Sequence, residues 1–203
     1  LFTSQGCSSC PPADAMIVEL AKRDDVIPLA LHVDYWDYIG WKDSFARPAH
    51  TERQKAYARA AGHRTVFTPQ IIVDGIDHMV GNKPMKLAQL IDAHGDRPRT
   101  VGIELERDGA SVRIRAEALT ALPEGMIVHV VRYLPEETVS IKRGENAGRT
   151  ITYANIVTEW QAVARWDGET LLEIEADAPG PLPVVALVQA PGHGAILGAA
   201  QTR

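Results

Sequence analysis

The chain opens Leu1-Phe2-Thr3-Ser4-Gln5-Gly6-Cys7-Ser8-Ser9-Cys10-Pro11-Pro12-Ala13-Asp14, and the reading of everything downstream turns on this stretch. Leu1-Phe2-Thr3 has the character of the tail of a buried strand. Cys7 and Cys10 are the 2 cysteines of a 203-residue chain, which rules out a disulfide-stapled scaffold and a four-cysteine zinc site. Pro11 marks a helix start, because proline at a first helical position gives up a donor that would lack a partner there. Ile17, Leu20 and Ala21 supply an apolar stripe, so a helix is expected from Pro11 to Arg23. The first residue is Leu rather than Met, and a processed or trimmed segment is expected to precede it.

Composition sets the outer bounds. Apolar residues make up 45% and charged residues 23%, ordinary values for a globular chain. No run approaches the roughly 18 apolar residues of a membrane span. Lys and Arg number 21 against 26 Asp and Glu, a net charge of −5 with no basic block, so the electrostatic footprint of a nucleic-acid binder is missing. Gly95-Asp96-Arg97-Pro98 combines a favoured helix stop with a proline that keeps Arg97 out of the helical region. It divides the expected domains at 1–97 and 98–203.

In the first part, Val26 to Val33 is a mostly apolar run, the pattern of a strand buried on both faces. An aromatic stretch, Tyr35 to Trp41, follows. Thr51 and Gln54 form a capping-box pattern, opening a helix that ends at Gly62. Pro69–Val73 and Ile76–Val80 are two strands around Asp74-Gly75, a strong hairpin signal. Pro84 opens a last helix with Leu87, Leu90, Ile91 and His94 on one face. The order is β-α-β-α-β-β-α, with Cys7-Ser8-Ser9-Cys10 at the first strand–helix join and Thr68-Pro69 before the hairpin.

On those features the first part resembles a thioredoxin-fold domain. The resemblance implies an α/β thioredoxin-like N-terminal domain, with Pro69 in the cis form facing the cysteines. The opening fourteen residues, Asp34-Tyr35-Trp36 and Thr68-Pro69-Gln70 are also similar to a bacterial family of predicted secreted thioredoxin-like proteins of unknown function. That likeness implies a periplasmic or secreted location and no established substrate.

Thiol–disulfide exchange needs an attacking thiolate and a second thiol near enough to resolve the mixed disulfide. In a Cys-x-x-Cys motif the attacking thiol's pKa falls from about 8.5 to roughly 3.5–7.5. Cys7 is assigned as nucleophile and Cys10 as resolver, with Thr68, Pro69 and Trp36 lining the substrate groove. Thioredoxin's buried acid has no counterpart, since Leu1 stands there; Asp34 or Asp14 is left to handle the resolver's proton. Gly6 stands where thioredoxin has a bulky tryptophan. Pro11-Pro12 keeps Cys7 on the preceding loop, away from the helix dipole. The assignment requires both sulfurs to lie at an accessible rim opposite Pro69.

Residues 98–203 carry alternating segments punctuated by turns, among them Met126–Tyr133, Thr138–Lys142 and Thr150–Trp160, and are expected to form an all-β, sandwich-like domain. Arg143 to Arg149 reads as a solvated hairpin tip, with anion binding as the other possibility. The expected function is thiol–disulfide exchange with extracytoplasmic protein thiols or disulfides, using no cofactor beyond the redox-active disulfide. Two alternatives stand beside it: a non-catalytic module whose β domain docks a partner, and a copper or zinc carrier joining the cysteines to His32, His50, His63 or His78.

Overall fold

The computed structural model describes residues 1–202. Eleven strands and three α-helices follow one another as β1 (Phe2–Thr3), α1 (Pro11–Leu20), β2 (Leu31–His32), α2 (Pro48–Ala60), β3 (Gln70–Val73), β4 (Asp77–Val80), α3 (Pro84–Gly95), β5 (Val101–Asp108), β6 (Ser111–Ala118), β7 (Met126–Ser140), β8 (Thr150–Trp166), β9 (Leu172–Asp177), β10 (Val184–Gln189) and β11 (Ile196–Gln201). Each α-helix begins at a proline, where the fixed φ fits and the missing N–H is not needed. By internal contacts the residues fall into two units.

The first unit comprises Leu1–Val73, Asp77–Gly95 and Leu134–Val157. Its sheet runs β2-β1-β3-β4, with β1 parallel to β2 and antiparallel to β3. Strands β3 and β4 pair from Gln70↔Val80 to Val73↔Asp77 across a three-residue loop, Asp74-Gly75-Ile76, whose first two residues are at positive φ, so β4 begins one residue after the expected Ile76. Ala13 and Ile17 of α1, Ile71 of β3, Met79 of β4, Leu87 of α3 and Ala154 of β8 pack into one apolar core. Strand β8 takes part in the sheet's backbone pairing as well: Ala30 donates its N–H to Asn155 O at 2.9 Å, and Val157 donates to Ala30 O at 2.9 Å.

The second unit comprises Asp74–Ile76, Asp96–Tyr133 and Thr158–Arg203. Strands β5-β6-β9 form one sheet, and β11-β10-β7-β8 form the other. Val112, Ile114 and Ala116 alternate inward along β6 and meet Val128 and Val130 of β7 and Val184, Ala186 and Val188 of β10 around Trp166. That is the period-two burial expected of strands with one face in a core.

The expected fold class, an α/β thioredoxin-like domain followed by a sandwich-like β domain, is corrected by these observations. Three sheets carry the chain, and helix accounts for 19% of it. Two strands explain the difference. The sequence reading gave two strands, Met126–Tyr133 and Thr138–Lys142, yet β7 runs 15 residues straight through the interval between them. Pro135 to Glu137 are solvent-facing, where the missing proline donor does no harm. Strand β8 runs 17 residues, and its Tyr153–Val157 segment is buried in the first unit. Conversely, the apolar run Val26 to Val33 yields only the two-residue β2. The Thr51–Gln54 pair does not cap α2, which begins at Pro48. Both side chains turn inward, Thr51 to Asp34 and Gln54 to Phe67 O and Gln70.

A fragment ending at Arg97 lacks Ala154, Asn155 and Ile156. We expect it to show no cooperative thermal transition by circular dichroism, whereas the full chain melts cooperatively.

Candidate functional site

The cysteine loop is built from two successive turns. Cys7 donates its N–H to Ser4 O at 3.1 Å, and Cys10 donates to Cys7 O at 3.2 Å. Cys10 O then accepts the N–H groups of Ala13 and Asp14, which starts α1. Cys7 and Cys10 form a disulfide with their Cα atoms 5.4 Å apart. Cys7 is 3% exposed and Cys10 0%, so the expectation of sulfurs at an accessible rim is corrected. Only Ser8 and Ser9 of the loop face solvent, and Ser9 Oγ lies 3.5 Å from Cys7 Sγ.

Thr68-Pro69 is cis, as the sequence reading expected. Gly81 donates to Pro69 O at 2.9 Å, and a Cβ on Gly81 would stand 2.9 Å from Pro69 Cβ and 3.1 Å from Ala13 Cβ. Glycine is thus what lets Pro69 approach the first turn of α1. Trp36 donates Nε1–H to Thr68 Oγ1 at 2.8 Å. A Cβ on Gly6 would meet Trp36 Cβ at 3.1 Å, so the missing side chain before Cys7 is space that Trp36 occupies. Tyr38 stacks on Trp36 and is 79% exposed. The structure therefore brings Cys7, Cys10, Thr68, Pro69 and Trp36 into one neighbourhood.

The two candidate acids differ. Asp34 accepts a hydrogen bond from Thr51 Oγ1 at 2.6 Å and is partly exposed. Asp14 is 2% exposed; its Oδ1 accepts from Thr3 Oγ1 at 2.7 Å, and its Oδ2 has no partner. Burial, opposed by the field of His32 and the Thr3 bond, pushes the Asp14 pKa up to about 7.

Several residues that the sequence reading passed over complete the site. Asp43 Oδ2 accepts both Gln5 N–H and His32 Nδ1–H at 2.8 Å, and its Oδ1 accepts Phe45 N–H. Trp41 donates to Gln5 Oε1 at 2.7 Å. Asn146 Nδ2 donates to Gln5 O and Cys7 O, both at 2.9 Å. Tyr153 is buried against His32, ring centroids 5.0 Å apart, with its hydroxyl unpartnered. Burial raises its pKa, and the fields of Asp14 and Asp43 raise it further. No local spacing marks any of these. The sequence reading placed the buried strand at Leu1-Phe2-Thr3 alone, so nothing in it pointed to the burial of Gln5.

Two of the proposed metal ligands, His32 and His50, are otherwise engaged. His32 holds Asp43, and His50 Nδ1 donates to His32 O at 2.9 Å while burial lowers the His50 pKa to about 4. His63 and His78 face each other with ring centroids 5.9 Å apart. Among the described residues, no group of three His, Cys, Asp or Glu side chains is arranged to hold a metal ion.

Residues 1–189 match the family of proteins of unknown function DUF1223. The chain belongs to that family. A crystal structure of an Agrobacterium tumefaciens protein is 34% identical and superposes with a TM-score of 0.84, over 99% of this chain and 90% of that one. A Bacteroides fragilis chain, 10% identical with a TM-score of 0.24 over 51% of this chain and 15% of its own, carries no argument. No curated protein matches. The DUF1223 family thus supplies a shared structure and leaves the chemistry to be read from the site.

The Asp14 shift has a stability consequence. The folded state holds a proton on Asp14 that the unfolded chain releases near pH 4, so this group's contribution to stability is fully present below that value and is lost as pH rises through about 7. Asp14→Asn keeps the Oδ1 acceptor and removes the charge. We expect it to be more stable than the parent by about 1–3 kcal/mol at pH 8, in the range set by relieving a buried charge. The gap should close as pH falls toward 4, read from urea unfolding at each pH.

Proposed function

We propose that Cys7 and Cys10 form a working thiol–disulfide couple and that the chain exchanges disulfides with protein thiols or disulfides outside the cytoplasm. The observation that carries the reading is the convergence of a formed Cys7–Cys10 disulfide with a buried acid one helical turn further on, Asp14, whose pKa lies at about 7. A carboxyl in that range can give or take a proton at neutral pH, as general acid–base work requires. A formed disulfide also suits an oxidising compartment such as the periplasm.

In the reducing direction the Cys7 thiolate attacks a client disulfide, forming a Cys7–client bond and releasing the client's other sulfur as thiolate. Cys10, giving its proton to Asp14, then attacks Cys7 Sγ. The Cys7–Cys10 bond re-forms, and the second client thiolate leaves. The client gains two electrons and the pair loses two. Trp36, Thr68 and Pro69 would line the side from which the client approaches, with the exposed Tyr38 extending that wall. The opposite direction reverses each step. The disulfide itself is the redox group, and the reading calls for no other cofactor.

One observation favours a second reading. Both sulfurs are buried, Cys7 at 3% and Cys10 at 0% exposure, which suits a non-catalytic module whose disulfide only fixes the loop. Trapping separates the two. Cys10→Ser leaves Cys7 without its resolver, so a working nucleophile accumulates client-linked species on non-reducing gels of periplasmic extract, and Cys7→Ser/Cys10→Ser does not. Equal patterns from the two variants would leave the structural reading standing.

A further inference from the structure

Strands β7 and β8 are joined by residues 141–149, a loop closed on itself. Ile141 donates to Arg149 O at 2.9 Å, Gly148 donates to Ile141 O at 2.8 Å, and Ala147 donates to Gly144 O at 3.2 Å. Exposed Thr138–Thr152 and Ser140–Thr150 hydroxyl pairs link the strands leading to it. Between Lys142 and Arg149 every residue is exposed or partly exposed except Asn146, which is 1% exposed. A polar side chain is buried at the tip of an otherwise solvated loop only if something there satisfies it.

Both protons of the Asn146 amide are taken, one by Gln5 O and one by Cys7 O. These carbonyls lie 141 and 139 residues away in sequence and belong to the cysteine loop. The amide Oδ1 has no partner, so the side chain is held by its donors alone. Gly144, at φ +76°, lays its backbone against the aromatic segment, where a Cβ would stand 3.2 Å from Trp41 Cβ and 3.4 Å from Ile39 O. The loop thus grips the Cys7 peptide directly and rests on the segment that packs beside it.

We propose that residues 142–149 are a strap, latched by Asn146, and that attack on the Cys7–Cys10 bond requires the strap to lift. This gives the exchange chemistry proposed above a gate, and it accounts for a disulfide that is formed, buried and yet held next to an exposed aromatic wall. A partner that displaces the loop tip gains access to Cys7 Sγ; a small thiol in bulk solution waits for the opening. Asn146 touches no reacting atom. It is a positioning residue, acting through the Cys7 carbonyl.

The test uses dithiothreitol on the full oxidised chain. One dithiothreitol thiolate bonds to Cys7 Sγ as Cys10 leaves as thiolate; the second closes the reagent's ring and frees Cys7. The rate of thiol appearance is followed under native conditions for the parent, Asn146→Ala and Thr138→Ala, with melting curves showing that each is folded. Loss of two hydrogen bonds at the latch predicts about tenfold faster reduction in Asn146→Ala, with Thr138→Ala within about twofold of the parent. Equal rates in the parent and Asn146→Ala, or equal acceleration by Thr138→Ala, would overturn the latch. Should Asn146→Ala fail to fold, the parent is compared with an oxidised peptide of residues 4–12. A strap requires the protein to react at least about a hundredfold more slowly, and matching rates would refute it. The reagent reads the gate whether or not a client exists, so an empty client trap and an absent strap remain separate results.

Discussion

Burying a polar stretch of backbone is the constraint from which the site follows. Thr3, Ser4 and Gln5 are 0–1% exposed although none is apolar, and each group withdrawn from water needs a replacement partner. Thr3 finds Asp14 on α1; Gln5 finds Asp43, Ser44 and Trp41 in the segment before α2; Gln5 O and Cys7 O find Asn146 in the loop between β7 and β8. Partners from three separate regions are drawn to residues 3–7 because β1 and the segment that follows it are sealed from solvent. The disulfide follows in the same buried segment and shares its enclosure.

The same enclosure sets the electrostatics. Two buried carboxylates lie near His32, and their surroundings differ in hydrogen-bond supply. Asp43 accepts from Gln5 N–H, Phe45 N–H and His32 Nδ1–H. Asp14 accepts a single side-chain bond, from Thr3, and leaves Oδ2 bare. A carboxylate with few donors loses most from burial, and the nearby Asp43 charge adds to that loss, so Asp14 is the group driven to about 7. His32 lowers the Asp14 pKa through its field while holding Asp43 through Nδ1, which ties the two acids to one imidazole. The proton that this region can exchange at neutral pH is consequently lodged on α1, one turn beyond Cys10.

How much of this was legible follows from what sequence patterns encode. Helix starts at Pro11, Pro48 and Pro84, the Asp74-Gly75 hairpin and the cysteine turn are local signals, and local backbone preference decides them. Of the proline starts, Pro48 was still missed, because Thr51 and Gln54 mimic a cap while spending their side chains on Asp34, Phe67 and Gln70. Strand β7 was read as two pieces, Met126–Tyr133 and Thr138–Lys142, whereas Pro135 between them faces solvent and leaves the strand continuous. Trp36, Thr68 and Pro69 could be placed near the cysteines from sequence because they flank recognisable features, and the structure sets them beside the cysteine loop. Asn146 was not: in a glycine-bearing, charged loop an asparagine reads as solvated, and its burial depends on carbonyls about 140 residues away. His32 and Asp43 were invisible as a pair because apolar periodicity does not register polar burial.

The arrangement separates what holds the cysteine turn from what covers it. Cys7 O accepts two N–H donors, from Cys10 within the turn and from Asn146 on the strap. A carbonyl has two lone pairs, so losing the second donor leaves the first bond in place. The remaining anchors of the loop, Asp43 and Trp41 on Gln5 and Trp36 between Gly6 and Thr68, come from residues 36–43 and not from the strap. Pro69 is fixed independently by Gly81 N–H. On the proposed lifting of residues 142–149, Gln5 O and Cys7 O would open to water, which can replace the amide donors, and neither the Cys10–Cys7 turn bond nor the Gly81–Pro69 bond involves the strap. A cover that shares one acceptor with the structure beneath it can leave without dismantling that structure.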